Sequence, residues 1–528
     1  MLTTLTFIDI AILVAYFGIV TFIGWFVSRN LKSGDDLFLA GRSLGVATIG
    51  FSLFASNISS TTLIGVTGQA YSSGISVANY ELMAGFVLSF AAFTTIPLFL
   101  RLQITTVPEY LGRRFGPACR KYFSALTIFL TVFVDMAASV YAGVVVLQTF
   151  FPSAPFIPLC IGLAVFAGLY TAAGGLRAVV YTDVLQAIIL LIGAGVISYM
   201  VFSQFGFSWA EATKALPDGH MSLVRSADDP ALPWTGLLIG VPILGWFYWS
   251  NNQYVVQRVL AARGIETARQ GAAFAGMLKI LPLFVMAIPG AMAAELLPGL
   301  ENSDLVFPTL VADYLPIGFT GLVLAGLIAA IMSTVDSTLN SASTLVLHDF
   351  AEVKERGWSE KKIMQVGRLT TGGLIIIAAL WPIVIREFPG VFGYIQQVFG
   401  YSVPPVVAIF LLGMFWKRTS GKAALATLII GHLISGATFA YRASMAAAGQ
   451  ADGLPHFTVM TGIMTAFCLV LCAILSMILK PEHEFSKELV LDKQDIRPTT
   501  ASAVGWKDFR LQAAIVVFST ALIIFLFR

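Results

Sequence analysis

The feature that most constrains this chain is a series of apolar segments, each about 20 residues long and so able to cross a bilayer as a helix, that recurs from one end of the sequence to the other. They read as 6–28, 44–66, 74–100, 122–150, 156–175, 179–205, 233–256, 270–297, 316–345, 369–385, 393–415, 423–441, 456–479 and 511–527, about fourteen transmembrane helices. Lipid offers backbone N–H and C=O groups no partners, so each span must be helical. With 57% hydrophobic and only 12% charged residues among 528, a water-soluble fold could not hide so much apolar surface.

The basic residues give the spans an orientation. With the N-terminus outside, twenty-six of the 32 Lys and Arg fall in inner segments, among them Arg113, Arg114, Arg120, Lys121, Arg258, Arg263 and Arg269. Five lie outside (Lys214, Arg225, Arg386, Arg442 and Arg528), and Lys279 lies within a span. Such asymmetry is expected of a multi-pass protein of the cytoplasmic (inner) membrane with its N-terminus outside. The net charge of +3 is small and no basic stripe interleaves with aromatics, so no nucleic-acid partner is expected. Met1 to Leu5 carries no basic residue and no removable signal peptide is expected. Cys119, Cys160, Cys468 and Cys472 show neither a pairing pattern nor metal-ligand spacing and read as packing residues.

The longest polar stretches, 206–232, 346–365 and 481–508, are too short for a soluble domain, so residues 1–528 read as one membrane domain. Two spans are interrupted. The second carries Ser56-Asn57-Ile58-Ser59-Ser60-Thr61-Thr62 at its middle, and the seventh carries Gly240, Pro242 and Gly245 before Trp246 to Gln253. Isolated hydroxyls in a span can bond back to carbonyls one turn earlier in a continuous helix. Six polar side chains in seven residues favour a break instead. The two interruptions lie five spans apart, and an odd offset reverses orientation. That is the arithmetic of two inverted repeats, 44–205 and 233–415, with peripheral helices 6–28, 423–441, 456–479 and 511–527.

Several motifs resemble the sodium/solute symporter family, and its sodium/sugar cotransporter branch in particular. They are Gly168-Leu169-Tyr170-Thr171-Ala172-Ala173-Gly174-Gly175-Leu176-Arg177-Ala178, Val180-Tyr181-Thr182-Asp183-Val184-Leu185-Gln186 and Asp36-Leu37-Phe38-Leu39-Ala40-Gly41-Arg42. Tyr248-Trp249, Asn252-Gln253-Tyr254, Gln257-Arg258 and Phe415-Trp416-Lys417 complete the set. The resemblance implies an all-α integral membrane fold with a 5+5 inverted-repeat (LeuT-like) core. It also implies a sodium-coupled symporter importing a small polar solute, best read as a monosaccharide or related polyol, by alternating access.

Sodium is a hard cation that takes oxygen ligands. The resemblance places its site on the carbonyls of Ala55, Ile58 and Ala330 and the hydroxyls of Ser333 and Thr334, which could otherwise be small residues of helix packing. Asp336 is a carboxylate inside a span, a costly placement that is usually functional. Ser333, Asp336, Ser337 and Asn340 share one helix face. With Asp183 from the sixth span, Ser333, Asp336 and Ser337 could hold a second cation or a proton, or Asp336 could belong to a structural pair. For the solute, the resemblance points to Glu81, Lys279 and Gln396 as hydrogen-bonding groups, with Thr62 and Asp135 counted among the substrate positions, to Tyr248 as inner gate, and to Val66, Tyr80 and Phe392 as outer gates. Thr62, Ala84 and Gly245 depart from the sugar-carrier pattern. Asp135 adds a carboxylate that disfavours an anionic solute. Lys279 could alternatively form a buried structural ion pair with Glu81 or Asp135.

The resemblance implies sodium as the coupling ion, with no cofactor and no metal besides sodium expected, and Na+, a small-molecule solute and the lipid bilayer as partners. The rival readings are a sodium-coupled carrier of an amino acid or small carboxylate such as a sialic acid and, from another class, a membrane-embedded sensor or enzyme. A sensor is expected to append a signalling domain, and an enzyme to need a nucleophile or metal cluster. His220, His348, His432, His456 and His483 are scattered without ligand spacing.

Overall fold

The computed structural model describes residues 5–28, 42–171, 176–351, 356–388, 390–479, 487–497 and 505–528. The motif at 36–41, residues 172–175 of the Gly-rich motif and the side chain of Asp183 lie outside the described residues. The regular elements of the described chain are all helices, its only β-type contacts being two isolated bridges.

In chain order the main helices are α1 (Phe7–Ser28), α2 (Val46–Asn57), α3 (Ser60–Ser73), α4 (Ile75–Phe93), α5 (Pro117–Phe150), α6 (Phe156–Thr171), α7 (Leu176–Ser203) and α8 (Trp234–Asn251). They continue with α9 (Ile265–Leu296), α10 (Phe319–Leu345), α11 (Glu360–Leu380), α12 (Val391–Ser402), α13 (Pro404–Phe415), α14 (Gly421–Ala447), α15 (Phe457–Ile478) and α16 (Phe509–Leu526). Among the described residues, nine helices are long and apolar enough to cross a membrane, or up to eleven if the bent pairs α2/α3 and α12/α13 each count as one span. Phe7–Val20 and Phe156–Ala167 are shorter apolar stretches. Length and composition therefore do not establish the expected count of about fourteen.

Burial divides these helices. Of the span residues in α4 and α5, 83% are buried within the molecule, against 22% in α16 and in the stretch Gln365–Ile385, which includes most of α11. Leu369, Leu433 and Phe518 point outward, as expected where the surrounding solvent is lipid. α9 packs against α2 and α4, and α10 against α7, α1 and α6.

The second span breaks where the polar run lies. α2 stops at Asn57, Ile58 leaves helical geometry at φ −79° and ψ 82°, and α3 resumes at Ser60 with a bend of 59°. The Ser59 N–H, which would close on Ala55 in a continuous helix, turns to the Asn57 carbonyl at 2.9 Å. The Thr62 N–H, which would close on Ile58, turns to Ser59 at 3.1 Å. Side chains complete the substitution: Ser56 Oγ donates to the Ser52 carbonyl and Thr62 Oγ1 to the Asn57 carbonyl, each at 2.5 Å. This is the competition of hydroxyls with the helical ladder.

In the seventh span the interruption is elsewhere than Gly240, Pro242 and Gly245 indicate. α8 runs through Pro242 to Asn251, and the chain leaves helical geometry only at Asn252 before the short helix Gln253–Leu260. The glycines serve packing instead. A Cβ on Gly240 would stand 2.0 Å from the Thr458 carbonyl oxygen, and one on Gly236 would stand 1.9 Å from Thr458 Oγ1. Close contact with α15 requires their bare backbone.

Candidate functional site

Next to the break in the second span lies a cavity of about 90 Å³ whose polar walls come from α2, α3, α4, α5, α8, α10 and α12. That is small beside the roughly 300 Å³ at the lower end of ligand pockets, so an organic solute needs it to widen. Of the residues singled out in the sequence, Thr62, Tyr80, Glu81, Asp135, Tyr248, Thr334, Phe392 and Gln396 line this one cavity, and so does Gly245.

Lys279 stands behind the wall. Its ammonium, almost wholly buried, donates to Glu81 Oε2 and to Asn57 Oδ1 and lies 5.6 Å from the ring centroids of Phe54 and Trp249. Between the two carboxylates left open as partners, the structure pairs it with Glu81. Asp135 instead contacts the Asn252 side chain, and its Oδ2 is buried with no hydrogen-bond partner among the described residues. Ser139 Oγ, one turn further along α5 and also on the cavity wall, is likewise unpartnered. Buried polar atoms are nearly always satisfied, so a cavity bordered by two that are not suits a ligand with hydroxyls.

Tyr248 donates to the Ser56 carbonyl at 3.3 Å and shares a 2.9 Å hydrogen bond with the Tyr254 hydroxyl. Tyr80 and Phe392, also on the cavity wall, meet edge to face, with centroids 5.2 Å apart at 79°. Beyond them lies a second cavity of about 340 Å³, which shares Tyr80, Phe392 and Gln396 with the first. Val66 is fully buried in α3 and lines neither cavity.

For sodium, the rerouted hydrogen bonds at the break leave the Ala55 and Ile58 carbonyls outside the helical ladder. On α10 the Thr334 hydroxyl donates to the Ala330 carbonyl at 2.9 Å, and its lone pairs remain available to a cation. Ser333 is half-buried beside it. Asp336 is buried on the same helix, and Ser337 Oγ accepts from Arg258 Nη2 at 3.4 Å. A fixed positive charge thus already adjoins the face read as a second cation site. Asp183 lies on α7. Among the described residues no group of three His, Cys, Asp or Glu is placed to hold a metal.

Sequence reading missed Asn57, Ser139, Trp249 and Tyr254. Ser139 lies four residues after Asp135, so helical spacing could have found it. Asn57 sat within the polar run, but its partner lies 222 residues away.

Comparison with known proteins gives consistent likenesses. A family model described as the sodium:solute symporter family matches residues 37–431. The chain is 36% identical over 465 residues to sodium/myo-inositol cotransporter 2 of Mus musculus, covering 81% of this chain and 69% of that protein. It is 35% identical over 452 residues to a sodium/glucose cotransporter of Vibrio parahaemolyticus, covering 80% and 83%. Among solved structures, a Na+-coupled sialic acid symporter in a substrate-bound outward-open state superposes with a TM-score of 0.75 at 25% identity, over 90% of this chain and 99% of that one. A nucleobase-cation-symport-1 family transporter superposes with a TM-score of 0.58 at 14% identity, over 87% and 98%, a likeness of fold alone. The architecture is thus all-α and LeuT-like.

Proposed function

The chain belongs to the sodium:solute symporter family, and on that premise we propose that it imports a monosaccharide or related polyol on the sodium gradient by alternating access. It is a symporter and not an enzyme. The observation that carries the choice of solute is the cavity wall, where Glu81, Asp135, Ser139 and Gln396 stand together as hydrogen-bonding groups. Each hydroxyl of a polyol both donates and accepts, so mixed acceptors and amides suit it. Relatives named for myo-inositol and glucose support the same class.

In this reading sodium binds the Ala55, Ile58 and Ala330 carbonyls with the Ser333 and Thr334 hydroxyls, ordering the broken span before solute enters. Tyr80 and Phe392, with Val66 behind them, close the outer path, and Tyr248 closes the inner one. The inverted repeats 44–205 and 233–415 then rock within the peripheral helices of the single membrane domain. The protein sits in the cytoplasmic membrane with its N-terminus outside. It needs no cofactor, and its partners are sodium, the solute and lipid. Each charge carried inward gains about 2.3 kcal/mol per 100 mV, a roughly fifty-fold accumulation.

A sialic acid or another small carboxylate is the second reading, favoured by the sialic acid symporter's structure. Against it, none of the described residues lining the cavity is Lys or Arg, and Lys279 is already neutralised by Glu81.

Uptake into proteoliposomes separates these readings. We expect sodium-dependent accumulation of myo-inositol or a hexose, and preference for N-acetylneuraminate or an amino acid would overturn the polyol reading. Ser333→Ala combined with Thr334→Ala removes two of five oxygen ligands and should abolish sodium dependence. Unchanged sodium activation would remove this site from the mechanism.

A further inference from the structure

One buried carboxylate lies apart from the solute and sodium groups. Asp304 sits in the turn Ser303–Leu305 between α9 and α10, on the side expected to face outward, and is 1% exposed. Its two oxygens accept the Val391 N–H at 3.2 and 3.0 Å. Val391 is the first residue of α12, and its own N-cap, Gly390, has no side chain to accept that hydrogen. Asp304 therefore caps α12 from a distant loop, supplying both an acceptor and a negative charge at a helix N-terminus.

What rides on that helix is the outer closure. Phe392 follows Val391 directly, and Gln396 lies one turn further on. The loop bearing Asp304 is also tied to the far half of the broken span. The Tyr71 hydroxyl on α3 donates to the Leu297 carbonyl at 2.6 Å and accepts the Leu300 N–H at 3.2 Å. A Cβ on Gly68 would stand 2.3 Å from the Ser303 carbonyl oxygen. Asn302 Oδ1 accepts the Asp304 N–H at 3.0 Å, which fixes the carboxylate's direction.

We propose that Asp304 is a positioning residue of the outer gate, a buried carboxylate that caps the gate helix from a neighbouring loop and makes closure of Phe392 over the solute cavity depend on its charge. This rests on reading Phe392 and Tyr80 as the outer gate. Opening moves α12 away from the loop and admits water to the carboxylate. The titratable groups around it are Tyr141 on α5, which hydrogen-bonds to it, and Tyr71 on α3, with Arg386 next to Tyr141. Burial pushes Asp304 up to about 6 from an ordinary 3.8, while the Val391 N–H and the Tyr141 hydroxyl hold it down. The packed state thus binds the proton more tightly than a hydrated carboxylate would. Acid below about 6 favours the closed gate, and raising the pH through that value charges Asp304 and favours opening.

The test is the rate at which a methanethiosulfonate reagent labels Ser139→Cys, beneath the gate, in full-length protein in nanodiscs, at about pH 5 and about pH 7.5. The four native cysteines are buried and give a low background. Asp304→Asn keeps a capping oxygen and loses the charge. It should label slowly at both pH values, and dividing the wild-type rate by its rate cancels the thiol's own pH dependence. That ratio should rise several-fold between the lower and the higher pH. Val391→Pro removes the N–H at a position where helices accept proline, so it should label several-fold faster than wild type at the higher pH. A ratio independent of pH, or Val391→Pro labelling like wild type, overturns the role of Asp304. Phe392→Ala should accelerate labelling whatever the state of Asp304. If it does not, the gate reading itself fails, a result distinct from failure of Asp304 alone.

Discussion

Lys279 shows how a single buried charge is held in a span. Its side chain is 1% exposed, and Glu81, Asn57 and two aromatic faces supply the partners that water would otherwise provide. Removing one member of such a pair leaves the other charged and unsatisfied, at a cost of about 3–5 kcal/mol. Lys279→Ala should therefore lower stability by roughly that amount, and Lys279→Met with Glu81→Gln should recover much of it. Thermal unfolding in nanodiscs reads both. A double variant that stays folded but no longer binds solute separates the solute role from the structural one. In the sequence Lys279 was conspicuous as a lone cation in an apolar span, but Glu81 and Asp135 were equal candidates for its partner. Only the packing of α9 against α4 brings Glu81 to it.

Among the helices, the breaks and the close approaches have different origins. The break between α2 and α3 arises from local competition: the Ser56 and Thr62 hydroxyls bond backbone carbonyls about a turn earlier, and the Ser59 and Thr61 hydroxyls bond each other. Such a break is written in consecutive residues. Gly240, Pro242 and Gly245 look like weak points by the same inspection, yet α8 passes through them, and at Gly240 Thr458 occupies the space a side chain would take. Gly240→Ala sets its Cβ against backbone that no rotamer can relieve, so α8 and α15 must separate at a cost of about 1–3 kcal/mol. Gly162→Ala on α6 meets nothing within 4 Å and should be neutral or stabilising, by up to ~1 kcal/mol of helix propensity. Melting temperatures of the two variants that move equally would contradict this difference in packing.

For the whole molecule the open quantity is the coupling ratio, and Asp336 bears on it. If its carboxylate ligates a second cation, Asp336→Asn should reduce the sodium stoichiometry by one. If it belongs to a structural pair, as the Arg258 guanidinium at neighbouring Ser337 favours, the variant should lose stability and keep the ratio. The reversal potential of solute-coupled current decides, because it depends on stoichiometry and not on how much protein folds. We expect an unchanged potential, and a shift would restore the second site. The all-helical membrane character and the break in the second span were legible in advance, because bilayer thickness and the cost of unpaired backbone act on consecutive residues and leave their mark in apolar length and the polar run at 56–62. The sodium and solute assignments came from motif resemblance, which carries residue types without their partners. Tertiary structure alone decided that Lys279 pairs with Glu81, that Asn57, Ser139 and Tyr254 join the site, that the seventh span breaks at Asn252, and that Asp304 caps a helix 87 residues away. Each depends on two surfaces meeting, and which helix faces meet is set by the shape and packing of the whole bundle rather than by any one stretch of the chain.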